Sequence, residues 1–404
     1  MPASAATSML SSGLFVSLIA LSGYFVLPWL FFRLKRASAA QTCNEDVLRL
    51  IFEHCSDSTL ANAGRVCRSW VDPAQRELFS VLPPKRSQKR TMSWEPLGTV
   101  LLGNPRLRSY IRRLKISVMG MKELDNYDWV RLLPYHGITS LELSSWPNDQ
   151  LHAALGNMFL TSPGLSNLQQ LRIAGAILTD PAVSQKFLSN PSLSHLQLVF
   201  LGGPAPSQPF SRRPLNTLTR LSIAAQSLLI EDVPAMIWAC RASLRRLDLH
   251  LKHNPDPTGY ARLAAAFQAV PHLEHIHLDW DGSSTLHGDP TPVLDGLGLM
   301  LPNLRHLRAG AGLYTAAFFA HLPPALETLH LQYSHQKGVG AEAHFPAGAA
   351  IADLSTHPTL RSFTLSPAVG CPFMEFPALI VASKSFRFEF ATPAKVEESY
   401  VSWD

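Results

Sequence analysis

Cysteine is scarce. The 404 residues contain only Cys43, Cys55, Cys67, Cys240 and Cys371, an odd number with no C-x-x-C pair, which argues against a disulfide framework or a zinc ribbon and for a reducing compartment. Charge is also sparse. Charged residues make up 16%, and 35 basic against 30 acidic side chains leave a net +5 and a pI near 9.0. That excess is too mild to imply nucleic acid unless it is clustered. Catalytic signatures are missing as well: there is no P-loop, no G-x-S-x-G, no H-E-x-x-H and no cysteine cluster. We therefore expect a binding protein, with no cofactor, no metal and no chemistry of its own. The 46% hydrophobic content supplies a large core, and the length has room for about two or three domains.

One long run lacks charge altogether. Gly13 to Phe32, GLFVSLIALSGYFVLPWLFF, would span roughly 30 Å as a helix, the thickness of a bilayer core. Arg33, Lys35 and Arg36 follow it, and no Lys or Arg precedes Gly13. This bias predicts a membrane anchor over residues 1–40 with everything after it in the cytosol. The alternatives are a signal peptide cleaved near Ala37 to Ala39 and a hydrophobic element packed within the fold.

Residues 41–82 read as a small helical domain. In NEDVLRLIFEHCSDSTLANAGRVCRSW, Asn44 to Trp70, apolar residues fall at Val47, Leu48, Ile51 and Phe52, then at Leu60, Ala63, Val66, Cys67 and Trp70, the spacing of helix faces. So short a pair cannot bury its own apolar surface. Val47, Ile51, Phe52 and Leu60 are expected to need another surface, while Val66, Cys67 and Trp70 form the internal core, with Trp70 against Ile51 or Val47. Residues 83–105 read as a basic linker, opening with PPKRSQKR. The same charges could serve as a nuclear import signal, which would place the chain in cytoplasm or nucleus.

From residue 106 to 404 the chain repeats. An apolar-x-x-apolar-x-apolar pattern starts at Ile111, Ile138, Leu168, Leu193, Leu218, Leu244, Leu273, Leu304, Leu326 and Leu360, at intervals of 22 to 34 residues. The x-L-x-L half predicts a short strand with one buried face, and intervening stretches such as Tyr260 to Val270 and Ala235 to Ala242 predict helices. Prolines at 191, 271, 302, 324 and 358 stand two residues before a repeat, where they stop the preceding helix. One parallel strand and one outer helix per repeat stack into a curved α/β solenoid. SFRFEF, Ser385 to Phe390, alternates Phe386, Phe388 and Phe390 and is expected to cap its open end.

The intervals and the strand pattern resemble leucine-rich repeats, in an irregular form. The family's usual Asn or Cys in the turn is replaced here by Met119, Trp146, Ala176, Leu201, Gln226, Lys252, Asp281, Gly312, Ser334 and Ala368. The helical segment EDVLRLIF...STLANAGRVCRSW resembles an F-box, with Thr42, Cys43 and Asn44 where the usual form begins Leu-Pro. The order matches F-box proteins with leucine-rich repeats. That resemblance implies a substrate receptor of an SCF-type ubiquitin ligase, docked through a Skp-type adaptor to a cullin, with Val47, Leu48, Ile51, Phe52, Leu60, Val66 and Trp70 as the adaptor-binding set. The other reading is a membrane-anchored repeat scaffold without a role in ubiquitination.

Strand alternation places the residues between the apolar positions on the open, concave face of the sheet. These include Arg172, His195, Arg220, Arg246, His250, His275, His277, His306, Arg308 and His330, together with Arg113, Lys115, Gln170 and Gln197. Acids are few: Glu142, Asp248 and Asp279. This surface is expected to bind a protein substrate with an acidic or phosphorylated segment. His275, His277 and Asp279 on one strand, beside Asp248 and His250, have a spacing compatible with a metal, although polar surface is the ordinary reading.

Overall fold

A computed structural model describes residues 44–83, 94–117, 125–135, 137–144, 158–159, 161–174, 186–200, 215, 217–225, 232–251, 257–280, 294–311, 313–333, 345, 347–367 and 386–390. The uncharged segment Gly13 to Phe32 lies outside them. Among the described residues no helix is long and apolar enough to cross a membrane. The chain divides into two compact units, Met1–Met92 and Ser93–Asp404.

The described part of the first unit contains three helices, α1 (Glu45–Glu53), α2 (Asp57–Ala63) and α3 (Arg68–Ser80), followed by a two-residue strand, β1 (Val81–Leu82). Polar caps start the first two. The Asn44 side chain accepts from the Asp46 amide and the Ser56 hydroxyl from the Thr59 amide, satisfying donors that a first helical turn leaves without partners. Leu48, Phe52, Leu60, Ala63 and Ala74 make the core, with Cys55, Trp70 and Leu78 packed against it. Arg76 bridges Glu45 at 3.2 Å and Asp72 at 3.0 Å, tying α3 to the start of α1.

The second unit begins earlier than the sequence suggests. Trp94–Gly103, which falls within the expected linker, is a helix, α4, followed by α5 (Pro105–Tyr110). Arg108 holds this entry together: it is 9% exposed and donates to the carbonyls of Leu101 (2.6 Å), Leu102 (2.8 Å) and Leu132 (3.1 Å).

Among the described residues eleven strands then follow in chain order: β2 (Arg113–Ser117), β3 (Ser140–Ser144), β4 (Gln170–Ala174), β5 (His195–Phe200), β6 (Arg220–Ala225), β7 (Arg246–Leu251), β8 (His275–Trp280), β9 (His306–Ala309), β10 (Thr328–Tyr333), β11 (Ser362–Pro367) and β12 (Arg387–Phe390). Each pairs in parallel with the next. All ten predicted strands are present, and β12 is the expected closing element. Helices α6 (Asp232–Ala239), α7 (Pro257–Gln268), α8 (Leu297–Met300), α9 (Ala316–Ala320) and α10 (Ala347–Thr356), with 3-10 segments Asp125–Leu132 and Pro163–Leu165, occupy the connections. This is the leucine-rich-repeat-like α/β solenoid that the repeat predicts.

The three apolar positions of each repeat have distinct jobs. The first, from Ile111 to Leu360, lies in the turn ahead of the strand and is no more than 5% exposed in any of the ten repeats. The second and third point from the strand into the same core, where Met236, Ile237, Leu263 and Phe267 of the helices are also buried. The family's turn ladder positions all lie outside the described residues. At the other end of the strands the backbone makes its own ladder. The Arg112 carbonyl accepts the amides of Thr139 and Ser140, Thr139 accepts those of Gln169 and Gln170, and the pattern runs on to Glu327, which accepts those of Arg361 and Ser362. Side-chain hydroxyls reinforce it: Thr139, Ser194 and Thr219 each donate to the preceding repeat.

Candidate functional site

In the helical unit, α1 carries two apolar stripes. Leu48 and Phe52, four residues apart, face inward and are each 2% exposed; Leu60 is 3% exposed. Val47, Leu50 and Ile51 occupy the other stripe, three and four residues apart, and are 46%, 63% and 51% exposed. Trp70 meets Phe52 edge-on, with ring centroids 5.7 Å apart at 74°. It therefore anchors on Phe52 rather than on Ile51 or Val47, and Val66, expected in the core, is 40% exposed. Of the seven sequence-derived docking residues, Val47, Ile51 and Val66 lie on the surface while Leu48, Phe52, Leu60 and Trp70 build the support beneath. Leu50 belongs with the exposed stripe and was missed. Its position one turn from Val47 was the available signal.

The open face of the sheet is organised in rows because the strands are in register. One row runs Arg113, Ser140, Gln170, His195, Arg220, Arg246, His275, His306, Thr328, Ser362, Arg387. The next, two residues further along each strand, runs Lys115, Glu142, Arg172, Gln197, Ser222, Asp248, His277, Arg308, His330, Thr364, Glu389. His250 and Asp279 pair in a third. The fold thus brings all ten sequence-derived substrate residues onto one surface, in adjacent rows.

The acids of this surface are already engaged. Glu142 binds Lys115 at 2.8 Å and Arg172 at 3.6 Å. Asp248, 14% exposed, lies 3.1 Å from Arg246, 3.5 Å from Arg220 and 4.0 Å from His277. Asp279 meets His250 at 3.1 Å. Glu389 pairs with Arg387, so among the described residues of these rows seven fixed cations (Arg113, Lys115, Arg172, Arg220, Arg246, Arg308, Arg387) stand against four acids (Glu142, Asp248, Asp279, Glu389), a net of three positive charges.

Five of the six histidines are shifted toward the neutral form. Burial first, and the Arg308 cation second, push His277 and His330 down to about 4. His195 is lowered by burial and then by Arg220 and Arg246; His275 by burial and then by His306 and Arg246. His306 is lowered chiefly by burial. These rings act as neutral donors, acceptors and stacking surfaces. His195 is hydrogen-bonded to Ser194, His306 to Thr328 and His330 to Ser366, each at 2.8 Å. His275 and His306 stack with centroids 4.2 Å apart at 14°.

The metal possibility at His275, His277, Asp279, Asp248 and His250 gains no geometric support: among the described residues no group of three or more His, Cys, Asp or Glu is placed to hold an ion.

No family model matches the sequence, and no curated relative matches it. Among solved structures the chain is similar to one in the complex of Rad7 and Elc1 from yeast, at 14% identity over 82% of this chain and 95% of that one, with a TM-score of 0.36. So loose a superposition carries no argument about function. The repeat architecture rests on the strand register described above.

Proposed function

We propose that the chain is the substrate-recognition subunit of an SCF-type ubiquitin ligase. In this reading the helical unit docks on a Skp-type adaptor, which links it to a cullin, and the open face of the repeats holds a protein substrate. The chain itself performs no chemistry. The carrying observation is the stripe of Val47, Leu50 and Ile51, with 46% to 63% of each left exposed on a compact unit of its own. Bulky apolar side chains clustered on one exposed helix face mark a surface that a partner covers. The F-box resemblance of the same segment supplies the kind of partner. Binding of purified Skp-type adaptor to the full chain tests the proposal, and failure to bind at tens of micromolar would reject it.

The uncharged run from Gly13 to Phe32 favours a membrane-held version, with helical unit and repeats in the cytosol. Protease added outside intact microsomes would then digest the repeats and spare the N-terminus. Protected repeats would place them in the lumen and remove the ligase reading. If adaptor binding fails while the repeats still retain a protein partner, the anchored scaffold is the better description.

A further inference from the structure

The first row of the open face contains no acid. From Arg113 to Arg387 its eleven residues are cationic, imidazole, hydroxyl or amide, while Glu142, Asp248 and Glu389 stand in the row beside it and Asp279 in the row beyond. At its centre His195, Arg220, Arg246, His275 and His306 lie on five consecutive strands, a span of roughly 19 Å at about 4.8 Å per strand. An extended peptide of about six residues covers the same distance. We propose that this row binds an extended segment rich in Asp and Glu, laid across the strands, and that its grip tightens as His195, His275 and His306 take up protons. The proposal rests on the reading of this face as the substrate surface.

Geometry favours several spread carboxylates over one phosphate. A dianion needs a focused pocket of donors, but Arg220 and Arg246 both bring their Nε atoms within ion-pair distance of the same Asp248 oxygen, at 3.5 and 3.1 Å. What remains is a line of single positive or protonatable groups, one per strand. Such a line matches a line of single negative charges.

The proton linkage follows from Arg246, the one cation that lowers all three rings. His195 also faces Arg220 and is hydrogen-bonded to Ser194. His275 faces His306, Glu274 and Asp248, and its neighbour His306 faces Glu327, Arg305, Glu274 and Thr328. Arg245 holds Glu274 in an ion pair, and Arg305 and Arg361 share Glu327 at 3.7 and 3.5 Å. A carboxylate seated beside Arg246 offsets the repulsion on all three imidazoles at once. Each ring whose affinity for a proton rises by one unit on binding returns about tenfold in ligand affinity below its free value.

The test measures binding of the full chain to a labelled octapeptide alternating Glu with Ser, at pH 7.5 and pH 5.8. We expect about tenfold or greater tightening at the lower pH, a ratio near one when His195→Gln, His275→Gln and His306→Gln are combined, and weaker binding at both pH values in Arg246→Gln. No binding at either pH, equal affinity at both, or tightening that survives in the triple variant would overturn the proposal. So would a phosphoserine-Gly octapeptide that tightens as much as the Glu probe, since phosphate loses charge near pH 6. If the Glu probe shows no pH effect while Arg220→Glu, Arg246→Glu and Arg308→Glu together still remove natural substrate at pH 7.5, the receptor reading stands and only this inference falls.

Discussion

Replacing Leu50 and Ile51 with Asp probes the docking stripe without touching the core. Full burial of a Leu or Ile side chain is worth about 1.5–3 kcal/mol. With 63% of Leu50 and 51% of Ile51 still exposed, an adaptor stands to gain roughly 1–2 kcal/mol from each. The two aspartates forfeit that gain and add the cost of drying carboxylates in an apolar contact, so the total exceeds about 3 kcal/mol. At about 1.4 kcal/mol per decade, adaptor affinity should fall at least 100-fold. Titration calorimetry against purified adaptor reads this directly, with circular dichroism and thermal melting as the check on folding. Both residues are already wet, so the melting temperature should barely move. A loss of affinity under threefold, with the variant folded, would refute the reasoning. Phe52→Asp is the wrong probe despite its prominence in the sequence, because Phe52 is 2% exposed and a charge there unfolds the unit.

Three further changes test the supports. Phe52→Ala should cost the helical unit about 3–5 kcal/mol, seen as early melting and rapid proteolysis of residues 44–82, with the repeats unaffected. Arg108→Leu leaves the carbonyls of Leu101, Leu102 and Leu132 without their shared donor and should destabilise the second unit by roughly 2–4 kcal/mol in chemical denaturation; an unchanged midpoint would mean that water replaces the guanidinium at no cost. Gly298→Ala would place a Cβ 1.7 Å from the His321 carbonyl oxygen, so α8 must shift. We expect a loss at the upper end of the roughly 1–3 kcal/mol typical of overpacking, and a variant as stable as the parent would contradict this close approach.

The strands were legible because a period of two survives any change of loop length. Apolar residues at the same three positions mark them through intervals from 22 to 34 residues. Register was legible for the same reason, since every repeat enters its strand at the same offset from its first apolar residue. Four features were not. In α1 both faces are apolar, so the helical period could not say which stripe faces inward; Leu48 and Phe52 do, because Leu60, Ala63 and Ala74 meet them there. On the sheet, residue identity could not say how much charge the histidines carry, whereas burial first and neighbouring cations second lower His195, His275, His277, His306 and His330. The pairing of one Asp248 with two arginines was equally invisible, since it depends on how side chains lean across β6 and β7. The helix Trp94–Gly103 hid behind the basic run that precedes it.

The central claim is that one unit holds an adaptor and the other a substrate. Quantitative affinity purification from cells with the proteasome blocked tests it most directly, comparing the unmodified chain with Leu50→Asp/Ile51→Asp and with Arg220→Glu/Arg246→Glu/Arg308→Glu. The account predicts a Skp-type adaptor and a cullin lost only from the first variant, and a ubiquitin-modified protein lost only from the second. Recovery of the unmodified chain with neither adaptor nor cullin would contradict it.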